Sequence, residues 1–171
     1  MKIEADAFVS HPAERVFAGY RDVLPRLVGE IPQVREIVVE ERIERGEVVE
    51  LVNHWHGDVP VPAIAQKFVP VKLSWRDRAT WDHTTLSAHW EIEADSFTEA
   101  VRCYGINRFV DIGGATRVEV QGEIRIDLSK VRLLPEKVAA PIAQAIERLF
   151  LSQFTPSVVA VCDALDEHLR G

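Results

Sequence analysis

The chain has 171 residues, 47% hydrophobic and 27% charged, the balance of an ordinary water-soluble domain with enough apolar mass for a real core. Its net charge of −7 and pI of about 5.4 argue against a nucleic-acid footprint and against docking on an anionic membrane by charge alone. No apolar run approaches the ~20 residues of a membrane span, MKIEADAFVS lacks a signal peptide's apolar stretch, and Cys103 and Cys162 have no metal or disulfide spacing. One cytoplasmic domain over residues 1–171, with reduced thiols, is therefore expected.

Residues 2–9 alternate, with Ile3, Ala5, Ala7 and Val9 on one side, and read as a first strand. Ser10 then offers an N-cap hydroxyl and Pro12 suits a first helical turn. The stripe Val16, Phe17, Tyr20, Val23, Leu24, Leu27, broken at Pro25, predicts two short helices ended by Gly29 and Pro32. The period then changes to two. Val34–Ile43 and Val48–His56 form a hairpin around Glu44–Glu47, whose acid-rich outer side reads as a solvated face.

Gly57 to Pro70 breaks this pattern with Pro60, Pro62 and Pro70 around a short helical stretch, Ala63–Phe68. A connection this long between strands is often functional. It reads either as a plug at one end of the sheet or as a lid, with apolar members Val59, Val61, Ile64, Phe68 and Val69 and with Ile64 and Phe68 as its anchors on a ligand or membrane surface. Strands resume at Val71–Trp81, Thr84–Glu93, Thr98–Val110 and Ala115–Leu128, the last two joined at Gly113-Gly114. From Pro135 to the end, Val138, Ile142, Ile146, Leu149, Phe154, Val158, Val161, Leu165 and Leu169 recur at helical spacing. Such a helix is about 50 Å long and must lie across something wide. Pro141 sits near its start. Pro156 falls inside it and predicts a kink near Phe154–Pro156, either a bend that follows a curved sheet or a hinge over a cavity.

The order is strand, two short helices, six strands, one long helix. It predicts an α+β architecture, a seven-stranded antiparallel sheet curled around the C-terminal helix. FVSHPAERVFAGYRDV with Pro12, Val16 and Phe17, RVEVQGEIRID before the last loop, and the long terminal helix together resemble the START/Bet v 1-like superfamily of polyketide cyclases/dehydrases and lipid-transport proteins. VPAIAQKFVPVKLSW resembles an uncharacterised bacterial branch of it. The resemblance implies a helix-grip fold. No catalytic signature of any branch transfers residue by residue, and there is no His, His, Asp set of the iron-dependent branch.

Trp55, Trp75, Trp81 and Trp90 fall in the central strands and either fill the core or, with Leu51, Leu73 and Leu86, line an apolar cavity. Asn53 shares a face with Leu51 and Trp55, and Asn107 and Cys103 share one with Val101 and Phe109. Val120, Leu149 and Phe154 are candidate lining from the last strand and the helix. Asp77 has the parity of Leu73 and Trp75, so it is either a buried, perturbed acid or is turned to solvent by a bulge. His54 and His56 share a strand face with Glu50 and read as surface histidines rather than zinc ligands. Three functions fit. The first is a carrier or sensor of a hydrophobic small molecule or lipid, without metal, cofactor or nucleic acid, and with transient membrane contact at most. The second is a cyclase- or hydrolase-type enzyme using Asp77, Asn53 or Tyr104. The third is an interaction protein with a filled core. Nothing in the sequence assigns an oligomeric state.

Overall fold

The computed structural model describes residues 1–171 apart from Val59, Val69, Val71 and Leu133. Seven strands form one antiparallel sheet: β1 (Lys2–Val9), β2 (Val34–Arg45), β3 (Val48–Asp58), β4 (Lys72–Asp82), β5 (Ser87–Ala94), β6 (Val101–Asp111) and β7 (Thr116–Ile126). Their spatial order is β1-β7-β6-β5-β4-β3-β2, so the first strand closes on the last and every other neighbour is consecutive. The helix α1 (Ala13–Asp22) follows β1, and α2 (Glu136–Arg170) ends the chain. This is the helix-grip arrangement expected, a curved sheet around a long helix.

Alternation does the sorting. On β1 the burial runs strictly exposed–buried, because Ile3, Ala5, Ala7 and Val9 meet α2 while Lys2, Glu4, Asp6 and Phe8 face solvent. Packing of α2 runs chiefly along β1, and its C-terminal half buries Val158, Val161, Cys162 and Leu165 there. At that end Phe17 and Tyr20 of α1, Trp81 of β4 and Phe109 of β6 close the space, with ring centroids 5.4 to 6.1 Å apart. Edge-on contacts among these four rings leave the narrow end of the grip filled.

Several local expectations change. Short helices do follow β1, but the part after α1 is two single 3-10 turns, Leu24–Arg26 and Val28–Glu30, since Pro25 cannot continue α1. Ser10 does not cap α1. Pro12 occupies that position, and the Ser10 amide instead donates to Asp166 Oδ1 of α2 at 2.6 Å. Ala63–Phe68 forms hydrogen-bonded turns rather than a helix, with Ala65 N–H donating to Pro62 O at 2.8 Å and Phe68 N–H to Ala65 O at 2.9 Å. Thr84–Leu86 belong to the turn before β5, with Leu86 at φ 46°, and Thr98–Ala100 precede β6. Pro141 lies inside α2, which starts at Glu136, and the helix continues across both Pro141 and Pro156. The expected positions Val59, Val69 and Val71 lie outside the described residues.

Candidate functional site

The middle of α2 differs from its ends. Between Ala143 and Ser157 no α2 residue is buried, and Ile146, Leu149, Phe150, Gln153 and Phe154 are half-buried. Across from it, on the concave face of β3 and β4, Trp55, Leu73, Trp75 and Asp77 are half-buried as well, although their parity points them inward. Because α2 lies along β1 rather than over β3 and β4, these inward side chains border a cleft that solvent reaches. Among the described residues Leu73, Trp75 and Leu149 join none of the three buried clusters. Gln33, where β2 begins, spans to α2 by donating to Gln153 Oε1 at 3.4 Å.

Asn53, Trp55, Trp75 and Asp77 form the cleft's polar and aromatic floor. In the β3–β4 register Asn53 pairs with Asp77 and Trp55 with Trp75, so the four side chains make a two-by-two patch on one face. The two indoles stack at 6.0 Å with planes 16° apart. No bulge interrupts β4, so Asp77 faces inward; the register shifts of this sheet lie on β2, between Val34 and Glu36 and between Val39 and Glu41.

This floor holds polar atoms without partners. Asn53 Oδ1, Asp77 Oδ1 and Trp55 Nε1 are shut off from solvent and have no hydrogen-bond partner among the described residues, and the same holds for Trp81 Nε1 nearer the aromatic end. Asn53 as a whole is only 6% exposed. An unpaired buried polar atom costs about 1–3 kcal/mol, so several together on one patch need an explanation. Burial also pushes the Asp77 carboxyl up to about 7, because no cation or donor offsets its lost hydration. The same interior raises its neighbours. Burial, with Cys162 and Asp77 adding to it, lifts the Tyr20 phenol well above its ordinary range, and burial with Asp77 pushes the Cys103 thiol up to about 12. Cys162 is likewise pushed up to about 12, chiefly by burial. Neither thiol is a nucleophile at neutral pH.

Of the other expected lining residues, Leu51, Asn107 and Val120 are buried, and Leu86 and Trp90 are half-buried, as Trp55 is. Leu51 and Val120 are 2% and 4% exposed within the main core. Leu86 packs on that core from its turn. Trp90 has a built seat: Gly105 and Gly122 face each other across β6 and β7, and its indole lies over both. A β-carbon on Gly105 would collide with that indole, and one on Gly122 would come within 3.0 Å of it. Trp90 Nε1 donates to Asn107 Oδ1 at 2.9 Å, which uses the buried Asn107 as its partner. Phe154 and Phe150 stack at 5.6 Å and pack against Trp90, Ile92 and Cys103, forming the cleft's other wall.

The Gly57–Pro70 segment is held by Val61 and Ala65, which join Ala100, Leu128, Ala139 and Ile142 in a separate cluster. Ile64 and Phe68 are 48% and 36% exposed, so they are not what anchors the segment to the fold. Tyr104 stands on the outer face and donates to Glu123 Oε2 at 2.9 Å, away from the cleft. His54 also faces outward, with Nδ1 3.1 Å from Glu40 Oε1 and Nε2 2.6 Å from Asp95 Oδ2. Arg76 pairs with both of those carboxylates, so the group is an ion-pair network across β2, β3, β4 and the end of β5. Among the described residues no group of three or more His, Cys, Asp or Glu is placed to hold a metal. An open concavity of about 770 Å3 on this outer face is bordered by Val52, Arg78, His89 and Tyr104 and is separate from the cleft. No helix among the described residues is long and apolar enough to cross a membrane.

Residues 4–155 match the family described as a protein of unknown function, DUF2505. The chain belongs to that family. Its fold is that of the START/Bet v 1-like superfamily. The Zhui aromatase/cyclase from Streptomyces sp. R1128 superposes with a TM-score of 0.73 at 14% identity, covering 100% of this chain and 96% of that one. A protein of Thermus thermophilus gives 0.67 at 18% identity, covering 98% and 95%. A START superfamily protein from Mycobacterium smegmatis gives 0.52 at 12% identity, covering 89% and 95%. No curated protein matches the chain by sequence.

Three features of the site are absent from the sequence reading. Phe150 is an α2 cleft residue, and its spacing of four from both Ile146 and Phe154 is a signal for it. The Gln33–Gln153 bridge joins residues 120 apart in the chain and carries no local signal. Tyr20 reads from the sequence only as one of a helix stripe, and its nearness to Asp77 arises from how α1 folds under the sheet.

Proposed function

We propose that the protein binds a hydrophobic small molecule or lipid in the cleft between the middle of α2 and the concave face of β3 and β4. The observation that carries this is the pairing of half-buried aromatic walls with unpartnered polar atoms on one floor. A ligand site of this kind is mostly apolar with a few placed polar groups. The helix-grip neighbours include an aromatase/cyclase, which supports an interior used for binding organic molecules. We read the chain as one domain acting in the cytoplasm, with residues 60–68 bordering the site and their exposed Ile64 and Phe68 free for transient contact with a membrane or an incoming ligand.

A second reading is favoured by Asp77 alone. A carboxyl near neutrality in an apolar site is suited to general acid–base work, so a cyclase- or hydrolase-type step on the same ligand is the alternative. Native mass spectrometry of the freshly purified chain, followed by solvent extraction, tests the binding reading. A stoichiometric apolar passenger that is lost in a folded Trp55→Ala variant supports it. A bare chain that takes up nothing from a panel of lipids and aromatic compounds refutes it. Turnover of an extracted passenger that Asp77→Asn abolishes would establish the second reading.

A further inference from the structure

The unpartnered atoms on the cleft floor are of two kinds, and together they restrict the head group of the ligand. Asn53 Oδ1 can only accept a hydrogen bond and Trp55 Nε1 can only donate one, while the Asp77 carboxyl accepts and, when protonated, also donates. Asn53 and Asp77 are register partners, and Trp55 lies two residues along the same face from Asn53. Such positions are neighbours in space, with β-carbons about 4.5–5.5 Å apart across strands and about 7 Å along one.

Each class of head group makes a different match. A carboxylate or phosphate accepts only, so it leaves Asn53 Oδ1 unpaired and faces the Asp77 carboxyl. No cation among the described residues is shown to offset this: the arginines of β4, Arg76 and Arg78, alternate outward. Arg42, beside Leu51 in register at the sheet's edge, is engaged by Asp22 and Glu44. An ammonium donates only and leaves Trp55 Nε1 unpaired. A hydroxyl does both, donating to Asn53 or Asp77 and accepting from Trp55. Beside it the stacked indoles of Trp55 and Trp75 present flat apolar surface, which suits a ring.

We propose that the cleft selects an uncharged, ring-bearing molecule whose hydroxyl group is held by Asn53, Asp77 and Trp55. This rests on the binding reading above and adds the chemistry of the ligand's polar end. Equilibrium dialysis of the full chain against naphthalene, 2-naphthol, 2-naphthoate and 2-naphthylmethylammonium holds the ring constant and varies only the head. The expected result at pH 6 is that 2-naphthol binds about tenfold more tightly than any of the other three, as one well-made buried hydrogen bond allows. In Asp77→Leu the preference for 2-naphthol over naphthalene falls to about one while naphthalene still binds. Asn53→Leu carries the same expectation if Asp77→Leu does not fold. Equal binding of naphthalene and 2-naphthol by the unaltered chain would mean that water satisfies these atoms; it would overturn this inference and leave the binding reading standing. Tightest binding of either charged probe, or a hydroxyl preference that survives in the folded variants, would also overturn it. Failure of all four probes to bind would remove both readings.

Discussion

Asp77→Asn offers a quantitative test of how the cleft floor is built. The native carboxyl is pushed from 3.8 up to about 7 by burial, with no compensating partner. Folding therefore raises its proton affinity, and between these two values the native state binds more protons than the unfolded state. Stability must then fall as pH rises through that window, and the loss is complete above the folded value. Each pH unit is worth about 1.36 kcal/mol, so about three units correspond to a cost on the order of 4 kcal/mol at pH 8.5. At pH 5 only the first unit or so applies, about 1.5 kcal/mol. The full difference between these pH values is thus about 2.5 kcal/mol; Asp77 is half-buried as a residue even though its Oδ1 is shut off, so solvent relieves part of it and a pH-dependent difference of about 1–2 kcal/mol is expected. Asparagine has nearly the same shape and no charge to desolvate. Urea unfolding of both proteins at pH 5 and pH 8.5 should show Asp77→Asn gaining about 1–2 kcal/mol over the parent between the two pH values. Every other titrating group is common to both proteins and cancels. A stability difference that does not change with pH would refute the claim that Asp77 is held inward without a partner.

Two further outcomes are expected away from the floor. Gly105→Ala should destabilise the fold by about 1–3 kcal/mol or more, since its β-carbon collides with both the Trp90 indole and the Gln121 carbonyl, whereas Gly29→Ala, with nothing within 4 Å, should be near neutral; thermal unfolding of both checks this. Asp166→Ala should cost about 1–3 kcal/mol at pH 7, because its carboxylate accepts from the Ser10 amide and from Arg170 and so ties the end of α2 to the β1–α1 turn. Burial opposes ionisation of Asp166, but the Ser10 amide, Arg170 and His11 outweigh it and hold the carboxyl below its ordinary range. That contribution is present above the unfolded value and is lost as pH falls through the folded one, so the variant and the parent should converge in strong acid.

The architecture was largely legible because alternation and helical spacing are local signals. The period-two runs placed Asn53 with Trp55 and Asp77 with Trp75 on one face, and the register of β3 and β4 then set the two pairs side by side. What the chain does not advertise depends on contacts between distant segments. Whether Asp77 faced inward turned on the absence of a bulge in β4, which is a property of its pairing with β3 and β5. Trp90 reads from the sequence like Trp55, yet its indole has a seat of its own, because Gly105 and Gly122 meet across two strands to make it. Leu86 continued the alternation of β5 on paper but turns at positive φ before the strand begins. The sequence offers Ile64 and Phe68 as contacts for a ligand or membrane surface, but it does not show that the smaller Val61 and Ala65 pack with Ala139 and Ile142 and hold their segment to the fold. The cleft itself follows from α2 lying along β1, which no stretch of sequence states.

The four indole N–H groups give the most direct view of the central claim, since Trp55 and Trp75 line the cleft while Trp90 is bonded to Asn107 and Trp81 sits among Phe17, Tyr20 and Phe109. In a 15N–1H correlation spectrum each tryptophan contributes one indole signal, assignable by single Trp→Phe variants. Titration with 2-naphthol should move the Trp55 and Trp75 signals and leave that of Trp90 in place. Signals of Trp55 and Trp75 that stay fixed while the probe binds would contradict an apolar ligand held between α2 and the β3–β4 floor.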